Sequence, residues 1–155
     1  VLTSIRAKEA VEALLRVLLL KVSVKTFAKV VLGVLNVRLV RKLCEDCKEA
    51  YTPPPELLKK LRVPEDRVGE FYRPPTEPEK ECPTCGGIGY VGRTGIFELL
   101  VMDESLRTAL IAKPKLDGLR ASARKAGNRT LQEEGILLVV QGITSLPELM
   151  RVLKQ

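Results

Sequence analysis

The chain has 155 residues, and 45% of them are hydrophobic, so it can build a core and long disorder is not expected. It carries 26 Lys and Arg against 19 Asp and Glu, which gives a net charge of +7. Because basic and acidic residues are interspersed, this charge indicates a solvated surface rather than a nucleic-acid interface. No apolar run approaches the roughly 20 residues of a membrane span, and no signal peptide is recognisable, so we expect a cytoplasmic protein.

The composition also excludes several kinds of catalytic site. The chain contains no histidine, which rules out Ser-His-Asp and Cys-His nucleophiles. No glycine is followed by lysine, so a Walker A phosphate loop is absent. The adjacent acids Glu133 and Glu134 point in different directions on a predicted helix and do not form a carboxylate pair. We therefore expect no catalytic residue and no cofactor-binding residue in this chain.

The predicted elements begin with a strand at residues 1–5, and its abrupt start without Met suggests a fragment of a larger protein. A helix follows whose apolar residues cover most of its circumference, so it should be packed on most sides. A second helix and a strand come next, with Leu39 and Leu43 expected on one face of the strand. The predicted bounds are residues 7–20 and 24–34 for the helices and residues 38–43 for the strand.

Two Cys-x-x-Cys pairs use all four cysteines of the chain. Each pair supplies two sulfurs from one tight turn, and two such turns form the closed tetrahedral shell of a structural zinc. Disulfides or buried thiols are the alternative, but vicinal pairs are redox motifs rather than cross-links. A thioredoxin-like dithiol would need only one pair. The predicted zinc ligands are Cys44, Cys47, Cys82 and Cys85.

The 34 residues between the pairs contain seven of the ten prolines, so they cannot form one continuous helix or a central strand. We predict a loop of irregular shape with one short helix, residues 56–61, after Pro55. A metal that closes this loop should remove about 3 to 4 kcal/mol of unfolded-state entropy, if it acts as a disulfide does. The prolines are Pro53, Pro54, Pro55, Pro64, Pro74, Pro75 and Pro78.

After the second pair, glycines at 89, 92 and 95 predict two short strands joined by a turn within residues 89–100. Short helices should follow over residues 104–112, 116–126 and 131–141 and from 146 to about 153. Their boundaries are marked by Asp103 as an N-cap, by stops at Gly127 and Gly142, and by capping boxes that begin at Thr130 and Ser145.

Residues 87–92 match G-x-G-x-x-G, but they follow a cysteine turn and precede a strand, so they do not predict a dinucleotide site. With the preceding pair they also match the C-x-x-C-x-G-x-G motif of J-domain co-chaperones. That family has four copies of the motif, and this chain has one.

Taken in order, four segments resemble the C-terminal part of the hexameric ATPases of type II secretion and type IV pilus assembly. They are RLVRKLC-x-x-C from Arg38, CPTCGGIGYVGRTGIFELL from Cys82, RASARKAGNRTLQEEGI from Arg120 and GITSLPELMRVL from Gly142, and the resemblance covers essentially the whole chain.

The resemblance implies an α/β, helix-rich fold in three parts. Residues 1–43 would end a RecA-like P-loop ATPase core, residues 44–100 would form a tetracysteine zinc subdomain with a short hairpin, and residues 101–155 would form a small helical bundle. It also implies that ATP and Mg²⁺ bind only in the full-length parent. The implied partners are the neighbouring subunits of a homohexamer and an inner-membrane platform protein, with a cytoplasmic location peripheral to the inner membrane and no nucleic acid.

This sequence departs from the family pattern at two positions. Arg6 stands where the family has a histidine of a nucleotide-sensing box, and Val37 replaces a glutamine. Arginine cannot titrate near neutral pH, so it cannot relay a proton as a histidine at that position can. Arg16 matches a family arginine and could contact the core or a neighbouring subunit, or could simply be solvated.

Two other functional classes stay open at this level. A free-standing zinc-ribbon that binds nucleic acid would show clustered basic residues with exposed aromatics, whereas this chain has three Phe and three Tyr. A chaperone-type zinc module would need further copies of the glycine-cysteine motif.

Overall fold

The computed structural model describes residues 1–61, 63, 70–76 and 81–154. Within these residues the chain is mixed α/β and rich in helices, with seven helices and four strands. The helices are α1 (Ala10–Leu18), α2 (Val24–Val30), α3 (Pro55–Leu61), α4 (Glu104–Ala112), α5 (Leu116–Lys125), α6 (Leu131–Val140) and α7 (Leu146–Leu153). The strands are β1 (Gly33–Leu43), β2 (Glu49–Tyr51), β3 (Phe71–Arg73) and β4 (Tyr90–Val101).

The strands form two small sheets. In the larger one, the two long strands β1 and β4 pair with each other. Met102 N donates to Leu32 O at one end and Cys44 N donates to Gly89 O at the other, both at 3.0 Å, so β1 and β4 run antiparallel. In the smaller sheet, β2 pairs antiparallel with β3, and Tyr51 lies opposite Phe71.

Three predictions for the first half of the chain are corrected. Residues 1–5 form no strand, because a strand needs a hydrogen-bonded neighbour and the described residues provide none for them. The second helix ends at Val30, since the residues from Gly33 onward pair with β4 instead. Leu39 and Leu43 do not share a face: Leu39 is 58% exposed and Leu43 only 2%.

The predicted pair of short strands after the second cysteine pair is also wrong. β4 is one strand of 12 residues that includes Gly92 and Gly95. Its glycines do not break it, because its length is set by pairing with β1, which has 11 residues. This pairing joins segments about 60 residues apart, so no local signal could predict it.

The helix boundaries of the second half are confirmed. The Asp103 carboxylate accepts a 2.7 Å hydrogen bond from Leu106 N at the start of α4. Gly127 and Gly142 follow α5 and α6 with φ angles of +80° and +69°, as expected for residues that end helices. The short helix α3 also forms where predicted, with Pro55 at its first position, while Pro64 and Pro78 lie outside the described residues.

The chain divides into two compact units. Unit 1 contains Val1–Val37 and Phe97–Leu131, and its core is made by α1, α2, α4 and α5 together with Leu100 of β4 and Met102. At the start of α1, the buried Glu98 carboxylate accepts hydrogen bonds from Ala10 N at 2.9 Å and Asn36 Nδ2 at 3.0 Å. The fully packed helix predicted at residues 7–20 is shorter, and Leu19 and Leu20 are exposed.

The other face of the β1–β4 sheet in unit 1 is uncovered. Its large apolar side chains alternate with buried residues along β4 and with half-buried ones along β1, and each is between 38% and 59% exposed. These side chains are Leu35, Val37, Phe97, Leu99 and Val101, and we call them the open sheet face.

Unit 2 contains Arg38–Ile96 and Gln132–Gln155. It holds the small sheet, α3, most of α6, all of α7 and all four cysteines. Phe71 is fully buried and meets Tyr51 edge to face, with 6.1 Å between ring centroids. Among the described residues of either unit, no helix has the length and apolar character needed to cross a membrane.

Candidate metal centre

Unit 2 brings the two cysteine pairs together as two similar turns. The first turn follows β1, and Lys48 N donates to Cys44 O at 3.0 Å. The second precedes β4, and Gly86 N donates to Cys82 O at 2.7 Å. Each turn therefore presents two thiols from a hydrogen-bonded loop, in the spacing that the sequence predicted.

The four sulfurs form one compact cluster. All lie within 4.8 Å of one another, with 3.8 Å between the Sγ atoms of Cys44 and Cys82 and 3.6 Å between those of Cys47 and Cys85. A tetrahedral metal with bonds of about 2.3 Å to sulfur separates its ligands by about 3.8 Å, so these distances suit a four-thiolate site. The donor set fits a soft, closed-shell cation and leaves no position for a catalytic water.

Gly89 connects the two turns through its backbone. Its N–H donates to Cys85 Sγ at 3.2 Å, and its carbonyl accepts from Cys44 N at 3.0 Å. Its φ of +76° favours glycine, and a Cβ added there would lie 2.5 Å from Pro74 Cβ. The sequence indicated backbone bends after the second pair, but it did not show that this glycine binds both turns.

The surroundings of the thiols shift their pKa values in different directions. The N–H of Gly89 lowers the pKa of Cys85 to about 7, because a donated hydrogen bond favours the thiolate. Burial raises the pKa of Cys47 and also that of Cys44. A bound divalent cation would lower the pKa of all the thiols and so overcome the effect of burial on Cys44 and Cys47, since a coordinated thiol is deprotonated.

Side-chain contacts outside the cluster join the two turns and also hold the first turn in place. The Thr84 hydroxyl of the second turn donates to the Asp46 carboxylate of the first. Lys48, directly after the first pair, forms a 2.5 Å ion pair with Glu45 and lies 4.7 Å above the Tyr72 ring. Asp46 and Thr84 lie 38 residues apart, and nothing in the motif identifies their contact.

The other residues singled out in the sequence have simpler settings. Arg16 forms a 2.8 Å ion pair with Glu12 one helical turn away, which is an ordinary solvated pair. Arg6 lies in the exposed segment before α1. Residues 87–92 run from the cysteine turn into β4, so their glycines lack the strand-to-helix setting of a dinucleotide site, as the sequence predicted.

The site is therefore a cluster of four cysteines on a mixed α/β chain, and it is able to hold a metal ion. Comparison with known sequences matches residues 1–151 to the family described as type II/IV secretion system protein. The chain belongs to this family.

Named relatives align with nearly the whole chain. It is 35% identical to the type IV pilus assembly ATPase PilB of Thermus thermophilus over 152 residues, which are 97% of this chain and 16% of that protein. It is also 35% identical to the type II secretion system ATPase E of Vibrio cholerae, covering 100% of this chain and 30% of that protein. The PilB protein of Pseudomonas aeruginosa is 35% identical over 99% of this chain and 26% of its own length. The chain thus spans between about a sixth and a third of these relatives.

Proposed function

We propose that this chain is the C-terminal part of a hexameric ATPase that powers type II protein secretion or type IV pilus assembly. In this proposal the chain is a structural part that transmits motion and has no nucleotide site of its own. The observation that carries it is the family match over residues 1–151, which contains the four-thiol cluster. Relatives aligned along the whole chain are named as ATPases of these two systems.

The lack of a Walker A phosphate loop in this chain supports the view that another segment of the parent binds the nucleotide. Since no Gly-Lys dipeptide occurs in the chain, a Walker A loop would have to come from another segment of the parent, and ATP with Mg²⁺ would bind there. Residues 1–43 would then complete the RecA-like core. In the parent, the open sheet face would be a surface for further packing, because it exposes five large apolar side chains.

We propose that Cys44, Cys47, Cys82 and Cys85 bind one structural zinc ion. Bound zinc supplies a cross-link between the two turns and does no chemistry on a substrate. Residues 44–100 would form the zinc subdomain and residues 101–155 a helical subdomain. The parent would assemble with identical subunits and act on an inner-membrane platform protein, located in the cytoplasm at the inner membrane.

Two measurements on the purified 155-residue chain test this proposal. We expect one zinc per chain by elemental analysis, and less than a fifth of that in Cys82→Ser. Asp46→Asn, which leaves all four thiols in place, should keep its zinc. We expect no ATP turnover above the buffer rate. Zinc-free wild-type protein would refute the metal assignment, and ATP hydrolysis by the chain alone would refute the structural role.

The same protein can be tested against the nucleic-acid alternative. Under our proposal, a random oligonucleotide should not bind at micromolar protein and physiological salt. Tight binding that weakens steeply with salt would instead favour the zinc-ribbon class.

A further inference from the structure

The turn between α6 and α7 lies against the strand end that enters the first cysteine turn. Leu43 N, one residue before Cys44, donates to Ile143 O at 2.9 Å. Thr144 is fully buried, and its hydroxyl donates to Arg41 O at 2.8 Å. The α6–α7 turn therefore satisfies backbone groups of β1 immediately before the proposed metal ligands.

The same turn is held from the other side of the cysteine pair. Lys48, one residue after Cys47, donates from Nζ to Gly142 O at 3.3 Å, and its side chain is only 18% exposed. Gly142 packs so closely on Tyr72 that an added Cβ would lie 2.8 Å from ring carbon Cδ2. The first cysteine turn is thus fixed to the α6–α7 turn at both of its ends.

A buried carboxylate on α7 completes this connection. Glu148 is 1% exposed, and each of its oxygens accepts two hydrogen bonds. Oε1 accepts from Arg41 N at 3.1 Å and Arg151 Nη2 at 2.8 Å. Oε2 accepts from Arg41 Nη2 at 2.6 Å and Arg151 Nε at 2.8 Å.

Tyr90 supports the arrangement at the first residue of β4. Its ring lies 4.2 Å from the Arg41 guanidinium carbon, and its hydroxyl is 2.6 Å from Ser145 Oγ. Ser145 Oγ in turn accepts from Glu148 N at 3.3 Å and so caps α7. The sequence assigned Glu148 to a capping box in which its side chain returns to the helix start. The structure uses only the Ser145 half of that box and directs the Glu148 carboxylate to β1.

We propose that metal binding by the four cysteines and docking of α7 are one coupled equilibrium, joined by Arg41, Thr144 and Glu148. Loss of the metal undocks α7, and weakening of the α7 contacts lowers the affinity for the metal and so speeds its release. The changes in binding free energy are reciprocal, because a coupling free energy acts equally on both equilibria. In the parent, this coupling would let the metal centre hold α7 in its docked position. The inference relies on the proposed zinc site.

The test uses the whole 155-residue chain loaded with zinc. Transfer of zinc to a chromogenic chelator is timed for wild type, Glu148→Gln and Thr144→Val, with Glu104→Gln as the control. Glu104 is exposed in the first turn of α4, so its substitution makes the same change of charge away from the network. We expect release to accelerate at least tenfold in Glu148→Gln, at least threefold in Thr144→Val, and less than twofold in Glu104→Gln.

Hydrogen exchange of wild-type protein provides a second measurement that needs no variant to fold. Removing zinc should raise the exchange of amides in residues 146–153 at least tenfold and leave those of residues 104–112 unchanged. Unchanged exchange in α7 would overturn the coupling, and so would equal zinc release from folded Glu148→Gln and wild type. In those cases the zinc assignment itself would stand, whereas wild-type protein that never binds zinc would remove both proposals.

Discussion

Glu98 of β4 caps helix α1 from 88 residues away: its Oε2 atom accepts a 2.9 Å hydrogen bond from Ala10 N. Glu9, the residue at the N-cap position itself, makes no side-chain capping bond. Glu9 instead pairs with Arg120 of α5 at 2.7 Å. The first turn of α1 is therefore stabilised by a strand residue that no capping motif would identify.

Replacing Glu98 with Gln should destabilise the chain by about 1 to 2 kcal/mol, because a charged hydrogen bond to a buried helix N-terminus becomes a neutral one. The measurement is urea unfolding followed by circular dichroism. Glu104→Gln, at an exposed helix start, should cost less than about 0.5 kcal/mol. Equal losses in the two variants would show that Glu98 contributes no more than a surface carboxylate.

Acid should remove the contribution of Glu148 to stability. The hydrogen bonds from Arg151 and Arg41 hold the pKa of Glu148 well below its usual range. A carboxyl whose pKa is lowered by folding stabilises the native state above its unfolded pKa of about 4.3, and this stabilisation is lost as pH falls.

Wild type should therefore have a higher unfolding free energy than Glu148→Gln. Between pH 6 and 8 the difference should be constant and on the order of 3 kcal/mol, because the substitution breaks a buried ion pair. The difference should shrink steadily below about pH 4. Unfolding of both proteins in excess zinc at a series of pH values measures it. A difference that grows on acidification would contradict the assigned ionisation.

Gly142→Ala should destabilise the chain by more than about 1 kcal/mol, since a positive φ is strained for alanine and the new Cβ meets the Tyr72 ring. Gly118→Ala is the matched control. Gly118 lies in α5, an added Cβ there has nothing within 4 Å, and the change should stabilise by up to about 1 kcal/mol. Opposite shifts of the thermal midpoint are expected, and shifts of the same sign would argue against this account.

The open sheet face should make the isolated chain bind apolar probes. Substitution of Phe97, which is 52% exposed, by Ser should lower the fluorescence of a bound naphthalene-sulfonate dye and leave the unfolding midpoint nearly unchanged. The preceding residue, Ile96, is only 1% exposed, and Ile96→Ser should unfold much of the protein. If Phe97→Ser destabilises as strongly as Ile96→Ser, the face is not open.

Local chemistry made several features predictable. Caps and stops such as Asp103, Gly127 and Gly142 act within one helical turn, so the helices from α4 onward lie where the sequence placed them. The two Cys-x-x-Cys turns are local as well, and their sulfurs converge as expected. The strand predictions were less accurate, because the absence of a strand at residues 1–5 and the single long strand β4 depend on partners elsewhere in the chain.

By itself, the sequence determined the ligand type, since a chain with four paired cysteines and no histidine can offer only thiolates to a soft metal ion. It also showed the resemblance to the family, because the motifs occur along the chain in the order that the family has. Only the tertiary structure decided what surrounds the metal centre and which carboxylates are buried. Glu98 and Glu148 find their partners 88 and 107 residues away. Such contacts arise from packing between distant elements, and no local spacing of residue types encodes them.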